Sequence, residues 1–206
     1  MHLTEKEMIF LTSVSRGRAP FGLLYHVPEK SKRSQFVEDT IEELKMKKYL
    51  NEEGKLTKEG TDIIYLWERY RNCKRHIRIN QCNIAVLPEE VLIVVVQTED
   101  GYEMVCTNKE TFMASILKYA DFLCQEDKKR ERGKWRNLEE AAFAEEVMKG
   151  DGYLLLFEYT AGKLESEKIY YWKEEEGFLF NRKSKRVRNL SPGVMRRQIY
   201  QALEEV

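Results

Sequence analysis

Residues 77–98, IRINQCNIAVLPEEVLIVVVQT, mark the point at which the chain changes from a helical to an extended pattern. The second half of this stretch, VLIVVVQT at 91–98, is rich in β-branched residues and nearly continuous in apolar character. Such a run is typical of a well-buried strand. The strand is expected to enter a hairpin turn formed by Glu99, Asp100 and Gly101 and to return from Tyr102. We therefore predict hairpin-rich antiparallel sheet after residue 76.

Before this stretch, the apolar spacing is helical. Thr4 with Glu7 forms a capping-box pattern at the start of a helix expected over about 5–15. A second helix is expected from Ser34, and Thr57 is the expected N-cap of a third. Gly54 indicates a tight turn between the second and third helices. Helix, helix, short hairpin and helix is the outline of a winged helix, so we predict a winged-helix-like region over 1–75.

The remaining chain, 76–206, is expected to form an α+β body with helices over 109–123, 138–149 and 193–205. Asn108, Asn137 and Ser191 are the expected starts of these helices, and Val206 is expected on the apolar side of the last one. The first helix is expected to present Phe112, Ile116, Tyr119 and Leu123 on one face. A charged loop near 125–136 would join two sheet-plus-helix lobes, an order compatible with a quasi-two-fold body. We expect one compact unit of the α+β class.

Composition limits the partners of the chain. The 206 residues include 35 Lys plus Arg and 35 Asp plus Glu, so the formal net charge is zero and provides no bulk attraction to nucleic acid or anionic lipid. The N-terminal segment MHLTEKEMIF is charged where a secretory signal would be apolar. No stretch approaches the ~20 apolar residues that span a bilayer. These features predict a cytoplasmic protein with no membrane segment.

Catalytic and metal-binding patterns are missing from the sequence. It contains three histidines, His2, His26 and His76, each expected in a terminal, loop or helix-end position. No phosphate-binding glycine motif, nucleophile elbow or zinc-protease motif occurs. The four cysteines lack metal-site spacing and are expected to be reduced thiols. We therefore predict no enzyme activity, no cofactor and no metal.

An aromatic and basic segment near the C-terminus leaves three interpretations open. Tyr170, Tyr171 and Trp172 precede a strand containing Phe178 and Phe180. A basic group follows, formed by Arg182, Lys183, Lys185, Arg186 and Arg188. The segment could provide core plus a solvated loop, a protein-binding surface or a nucleic-acid stacking platform. Strand alternation favours the first, because it places Tyr170 and Tyr171 on opposite faces, so at least one of them belongs to a core.

The order LTEKEMIFL, APFGLLYHVP and IEELKMKKYLNEEGKLTKEG, followed by a β-rich segment and a closing helix, resembles a known family. That family is the EspG-like chaperones of type VII (ESX) secretion and related small cytosolic proteins of Gram-positive bacteria. The resemblance rests on Leu3, Thr4, Glu7, Leu11, Pro20, Leu44, Leu50, Gly54 and Leu56. It implies a protein that binds the helical tip of an export substrate, keeps it soluble and helps to deliver it, without catalysis. No binding residue of the family carries over individually.

Two functions are therefore considered. The first is a non-catalytic chaperone or adaptor that binds a helical protein, with Glu99, Asp100, Gly101, Tyr102 and Tyr200 as candidate contact residues. The alternative is a winged-helix transcriptional regulator with a C-terminal sensing domain. The second helix opposes DNA binding, since its first two turns carry Glu38, Asp39, Glu42 and Glu43. The sequence leaves the oligomeric state open.

Overall fold

The computed structural model describes residues 1–127 and 133–204. The chain divides into two compact units. Unit 1 contains Met1–Cys73 and Ile93–Cys106, and unit 2 contains Lys74–Leu92 and Thr107–Val206. The chain passes between the units near residues 73, 92 and 106. The expected single compact unit, with lobes joined near 125–136, stays a prediction. Residues 128–132 of the expected charged loop lie outside the described part.

Unit 1 contains three helices and three strands. The first two residues of one strand, Val91 and Leu92, belong to unit 2, and the rest of that strand belongs to unit 1. These elements are β1 (His2–Leu3), α1 (Glu5–Val14), α2 (Arg33–Met46), α3 (Lys58–Asn72), β4 (Val91–Thr98) and β5 (Gly101–Asn108). The strand order is β1-β5-β4. A short 3₁₀ turn at Lys30–Lys32 leads into α2. The core contains Met8, Leu44, Ile63, Trp67 and Tyr70, all at most 3% exposed.

The helix starts in unit 1 follow the local sequence signals. Thr4 Oγ1 accepts the Glu7 backbone N–H at 3.3 Å, and the Glu7 carboxylate accepts the Thr4 N–H at 2.8 Å, which completes the predicted capping box. Thr57 caps α3 by accepting the Gly60 N–H at 3.1 Å. Between α2 and α3, Leu50 and Leu56 form an antiparallel bridge around Gly54, whose φ is +73°. The capping box, the Thr57 cap and the tight turn are confirmed.

The hairpin β4–β5 contributes most of its residues to unit 1, although the sequence analysis assigned it to the body. The reason is a pairing between distant residues, because β1 runs antiparallel to β5 with Leu3 opposite Tyr102. The Met1 ammonium group also donates to the Met104 carbonyl at 3.0 Å. Gly101 is required at this junction, since a Cβ there would lie 2.2 Å from the Leu3 carbonyl oxygen.

Unit 2 combines a sheet with three helices. Its elements are β2 (Arg75–Ile79), β3 (Cys82–Val86), α4 (Lys109–Tyr119), β6 (Arg136–Asn137), α5 (Glu140–Met148), β7 (Gly152–Thr160), β8 (Lys163–Lys173), β9 (Glu176–Asn181), β10 (Arg186–Asn189) and α6 (Pro192–Ala202). The strand order is β3-β2-β7-β8-β9-β10-β6, with antiparallel pairs throughout. The predicted α+β class with antiparallel hairpin sheets is therefore confirmed.

Several predicted boundaries in unit 2 are wrong. Asn137 does not open a helix, because it pairs with Arg186 as part of β6, and α5 begins at Glu140. The helix expected to continue to residue 123 ends at Tyr119, and a 3₁₀ turn, Asp121–Cys124, follows. Tyr119 is 85% exposed and does not belong to the buried face that contains Phe112 and Ile116. The predicted Val206 contact lies outside the described residues.

The aromatic segment of β8 and β9 lies in the core. Tyr170 and Tyr171 are both fully buried, so both faces of this part of the sheet are covered. On the Tyr171 face, Phe143 of α5 stacks on Phe180 with ring centroids 4.1 Å apart, and Tyr171 stacks on Phe178 at 5.0 Å. The prediction that at least one aromatic set belongs to the core is confirmed.

Candidate functional site

An apolar groove lies on the surface of unit 1 between its three helices. Its volume is about 280 Å³. We call it the N-terminal groove, and it is lined by Phe10, Leu11, Val14, Ile41, Leu44, Tyr49, Leu50, Gly54, Leu56, Gly60, Ile63 and Ile64. No lining side chain carries a formal charge at neutral pH. The groove therefore suits an apolar ligand or an apolar protein surface.

The rim of the groove is accessible, and its floor is part of the core. Val14 is 56% exposed and Leu56 is 48% exposed, whereas Leu11, Leu44 and Ile63 are at most 4% exposed. Exposed leucine and valine at the edge of an apolar depression lose unfavourable contact with water when a partner covers them.

The apolar strip along α2 extends beyond the groove. Val37, Ile41 and Leu44 have i, i+4 and i+7 spacing, which places them on one helix face. Val37 is 39% exposed. The strip is about 10 Å long from residue 37 to 44, from the 1.5 Å rise per helical residue. This elongated surface matches the row of anchors that an amphipathic helix presents better than it matches a compact small molecule.

The absence of a side chain at Gly60 allows the backbone before the Gly54 turn to pack closely against the start of α3. A Cβ at Gly60 would lie 2.0 Å from the Tyr49 carbonyl oxygen. Thr57 strengthens the same approach, because its hydroxyl donates to the Lys48 carbonyl at 2.7 Å. The turn that supplies Leu50 and Leu56 to the groove is thus fixed by its contacts with the start of α3.

Arg71 joins α3 to the end of α1. Arg71 is only 5% exposed. Its guanidinium group donates hydrogen bonds of 2.6–3.4 Å to the Ser15 hydroxyl and to four backbone carbonyls, those of Thr12, Ser15, Gly17 and Arg18. Burial lowers the pKa of Arg71. These bonds satisfy the backbone carbonyl of Thr12 in the last turn of α1, which lacks an intrahelical partner, and three carbonyls that follow the helix. Arg71 therefore fixes the α1 and α3 walls relative to each other.

A buried carboxylate joins α1 to the end of α2. Glu7 is fully buried, and its Oε2 accepts from Lys47 Nζ at 2.7 Å. A more exposed pair, Lys6 with Glu43 at 3.3 Å, also links α1 with α2. Buried pairs fix geometry more than they add net stability, since desolvation offsets their attraction. The two pairs hold α1 and α2, two walls of the groove, together.

The predicted turn residues lie at the tip of the β4–β5 hairpin. Glu99 and Asp100 are exposed. Asp100 Oδ1 accepts from the Thr98 hydroxyl at 3.0 Å and lies 3.3 Å from His2 Nε2. The Thr98 hydrogen bond, followed by the backbone and His2 contacts, lowers the pKa of Asp100. The turn is accessible as expected.

The side chain of Tyr102 is buried and is therefore not available to anchor a partner. It is 2% exposed, and its hydroxyl donates to the Leu24 carbonyl within unit 1. Its position opposite Leu3 in the β1–β5 pairing turns the side chain into the core. Two-residue alternation gave no way to tell which face of β5 would be covered.

Tyr200 belongs to unit 2 and is partly accessible. Its hydroxyl donates to Glu110 Oε1 at 2.6 Å, and Lys109 Nζ lies 5.0 Å from its ring centroid. The hydrogen bond to Glu110 raises the pKa of Tyr200, and the same bond lowers the pKa of Glu110. Tyr200 thus remains a candidate contact, engaged in a local polar cluster.

The basic group after β9 is interleaved with acidic side chains. Arg182 lies 3.4 Å from Glu140 and 3.9 Å from Glu167, and Lys185 lies 3.5 Å from Glu139. Arg188 lies over the Trp135 ring at 4.5 Å. These pairs reduce the positive potential that phosphate binding requires.

Sequence patterns did not identify the N-terminal groove. Helical spacing in the sequence places Ile41 and Leu44 on one face of α2, and Ile63 and Ile64 on α3, but such spacing does not show which of these residues remain uncovered. The available signal was the pair Leu50 and Leu56 on either side of Gly54, which stand out in an otherwise polar turn. In residues 1–127 and 133–204, no helix is long and apolar enough to cross a bilayer, and no three His, Cys, Asp or Glu side chains converge as metal ligands would.

Comparison with known proteins gives a family for the chain. A search of curated proteins found no match. The model of the family described as domain of unknown function DUF5081 matches residues 1–204, nearly the entire chain. The chain therefore belongs to the DUF5081 family.

Proposed function

We propose that this protein is a non-catalytic cytoplasmic chaperone or adaptor that binds an amphipathic helix of another protein in the N-terminal groove. The observation that carries the proposal is the uncharged groove of about 280 Å³ with exposed apolar residues on its rim. Helix-in-groove recognition needs such a depression and a row of anchors at i, i+3 or i+4, and i+7. On α2, the exposed Val37 and the half-buried Ile41 provide the complementary apolar surface, and Leu44 belongs to the buried floor.

The partner class follows from the shape of this surface and from the resemblance in the sequence. A helix bound in the groove would bury apolar residues that are exposed in the free protein. The same contact would shield the apolar face of the helix from water, which suits a chaperone whose substrate must stay soluble before assembly or export. The resemblance to EspG-like proteins supports a helical substrate of type VII secretion.

The alternative function, DNA recognition, is less well supported. Glu38, Asp39 and Glu42 of α2 are exposed. Carboxylates facing a phosphate backbone oppose the counterion-release contribution that dominates non-specific affinity. The helix, helix, hairpin and helix order resembles a winged helix, but function depends on sites and not on the fold.

Site-specific photo-crosslinking in the native cell tests the proposal. A photoreactive amino acid is placed at Leu56 on the groove rim and, as a matched control, at Leu164 of β8, which is 43% exposed compared with 48% for Leu56. We expect Leu56 to crosslink one protein, with the crosslinked peptides mapping to a single helix that has apolar residues at i, i+3 or i+4, and i+7. Leu164 should not capture that peptide. Equal capture from both positions, or no product from Leu56, would contradict the proposal.

A further inference from the structure

Helix α5 covers only part of one face of the unit 2 sheet. Phe143 of α5 stacks on Phe180 of β9 at 4.1 Å and meets the ring of Tyr171 of β8 edge-on at 5.8 Å, measured between ring centroids. Tyr171 is directly opposite Tyr153 of β7, and directly opposite side chains lie on the same face of a sheet. Tyr153 is nevertheless 54% exposed. The helix therefore covers β8 and β9 and leaves the neighbouring β7 partly open.

The open part of this face carries a row of apolar side chains along β7. Tyr153, Leu155 and Phe157 are spaced two residues apart, so all three point to the face that carries α5. Leu155 and Phe157 are half-buried, and Leu155 packs against the core cluster beneath α5. We call this row the β7 shelf. It is about 13 Å long from residue 153 to 157, at roughly 3.3 Å per residue.

α5 borders the β7 shelf with apolar side chains. Val147 is half-buried and packs on the core cluster beneath the helix. Glu146, the residue before it, bonds to Arg136 of β6 at 3.2 Å, so that side of α5 faces the β6 edge of the sheet. Successive helical residues are about 100° apart, so Met148 and Ala144, four residues earlier, are on the other side, next to β7. Both side chains are exposed.

The shelf and the helix beside it form a surface that is complementary to a second copy of itself. The helix is a ridge, and the β7 shelf is a step of the same length next to it, since the nine residues of α5 span about 13 Å. In a two-fold dimer, the α5 of each copy would lie on the shelf of the other, with the two helices side by side. Alanine at the contact, Ala144, permits the short end of the roughly 8–10 Å separation of packed helices.

The charges on this surface also match those of a second copy. Arg78 of β2 is directly opposite Phe157 and is exposed on the same face, beyond the shelf. Glu145 is exposed on the side of α5 that points away from its own sheet. Within residues 1–127 and 133–204, neither Arg78 nor Glu145 is part of an ion pair. A second copy lying on the shelf would turn its Glu145 toward Arg78, and two-fold symmetry would form that pair twice.

We propose that the chain forms a two-fold homodimer in which α5 of each copy lies on the β7 shelf of the other. Two helices side by side cover about 13 Å by 20 Å, well below the roughly 800 Å² per partner of a standard interface. The dimer is therefore weak and forms at micromolar concentrations. Its surface contains no residue of the N-terminal groove, so the dimer does not depend on helix binding there.

Sedimentation velocity of the full chain at about 5 to 500 µM tests this inference. We expect the average mass to rise with concentration from that of the 24.5 kDa monomer toward twice that value, with a dissociation constant below about 100 µM. A monomer throughout this range, or assembly beyond the dimer, would overturn the proposal.

Two alanines of α5 provide a matched pair of variants. Ala144→Glu places a carboxylate in the contact between the two helices, whereas Ala142→Glu places the same group on the side of α5 that faces the β6 edge. Both alanines are exposed, so both variants should fold, which circular dichroism checks. Ala144→Glu should weaken dimerisation by at least about tenfold, and Ala142→Glu by less than about twofold. Equal effects of the two variants would show that the copies associate through another surface.

Charge reversal tests the arrangement of the two copies. Arg78→Glu and Glu145→Arg should each weaken dimerisation about fivefold or more, because each places like charges at both symmetric contacts. The double variant restores opposite charges and should return the dissociation constant to within about threefold of the unmodified value. A double variant that dimerises no better than either single variant would overturn the arrangement.

Discussion

Replacing Arg71 by methionine removes the group that joins α3 to the end of α1. Methionine keeps an unbranched side chain of comparable length but donates no hydrogen bond. Four carbonyl groups and the Ser15 hydroxyl lose the guanidinium as a donor. Since these groups lie around a residue that is 5% exposed, water replaces the lost donor only if the segment moves.

The expected cost is large for a single substitution. Hydrogen bonds to charged groups contribute roughly 1.5–3 kcal/mol each, but those made by one side chain are not additive. Breaking a buried charged network costs about 3–5 kcal/mol in comparable cases. Removing the Arg71 charge also removes its desolvation cost, which places the expected loss of stability at the lower end of that range. We therefore expect a loss of about 3 kcal/mol. At roughly 2–4 °C per kcal/mol for a chain of this size, the melting midpoint of the protein should fall by about 6–12 °C.

Urea unfolding of three variants measures this effect. Arg69→Met is the matched control, because Arg69 lies on the same helix, is more exposed and contacts the Tyr65 ring at 5.4 Å. It should cost less than about 1 kcal/mol. Arg71→Lys should fall between the two, since it keeps the charge without the planar set of five donors. A loss for Arg71→Met within about 0.5 kcal/mol of the Arg69→Met value would refute the structural role assigned to Arg71.

Three further predictions concern the turn, the tyrosines and DNA. Gly60→Ala should lower the free energy of unfolding by about 1–3 kcal/mol, because the added Cβ meets the Tyr49 carbonyl at 2.0 Å, and an unchanged urea midpoint would argue against this close approach. Burial, reinforced by the hydrogen bond to Glu146, raises the pKa of Tyr171 above its usual 10.0, so its contribution to stability is complete below pH 10 and declines as pH rises. Urea titrations between neutral and alkaline pH should therefore show a weaker decline for Tyr171→Phe than for the unmodified protein, and parallel declines would contradict the assignment. In a gel-shift titration near physiological salt, the dissociation constant for duplex DNA should not be lower than about 10⁻⁶ M. Saturation well below that concentration would favour the transcriptional-regulator alternative.

Local signals in the sequence predicted the parts of the fold that depend on neighbouring residues. Thr4 with Glu7, Thr57 and Gly54 each satisfy or permit backbone geometry within a few residues, and each has the predicted role. The strand at Val91–Thr98 was recognisable because continuous β-branched residues favour a buried strand.

Pairings between distant residues account for the errors. Tyr102 lies in the core because β1 pairs with β5 across about a hundred residues of sequence, and Asn137 lies in a strand because Arg186 is opposite it. The spacing of apolar residues near Tyr102 and Asn137 does not reveal that Leu3 and Arg186 are their strand partners. The N-terminal groove depends likewise on which parts of three apolar helix faces are covered.

Titration of the crosslinked helix as a synthetic peptide measures the role of the N-terminal groove directly. The three proteins compared are the unmodified chain, Leu56→Glu and the matched surface control Leu164→Glu. A carboxylate on the rim would have to be desolvated without a partner when the helix binds, so Leu56→Glu should weaken binding by about 2 kcal/mol or more, roughly 30-fold. Leu164→Glu should bind as the unmodified chain does. Equal affinity of all three proteins, with Leu56→Glu shown to be folded, would contradict the proposal that the groove receives the partner helix.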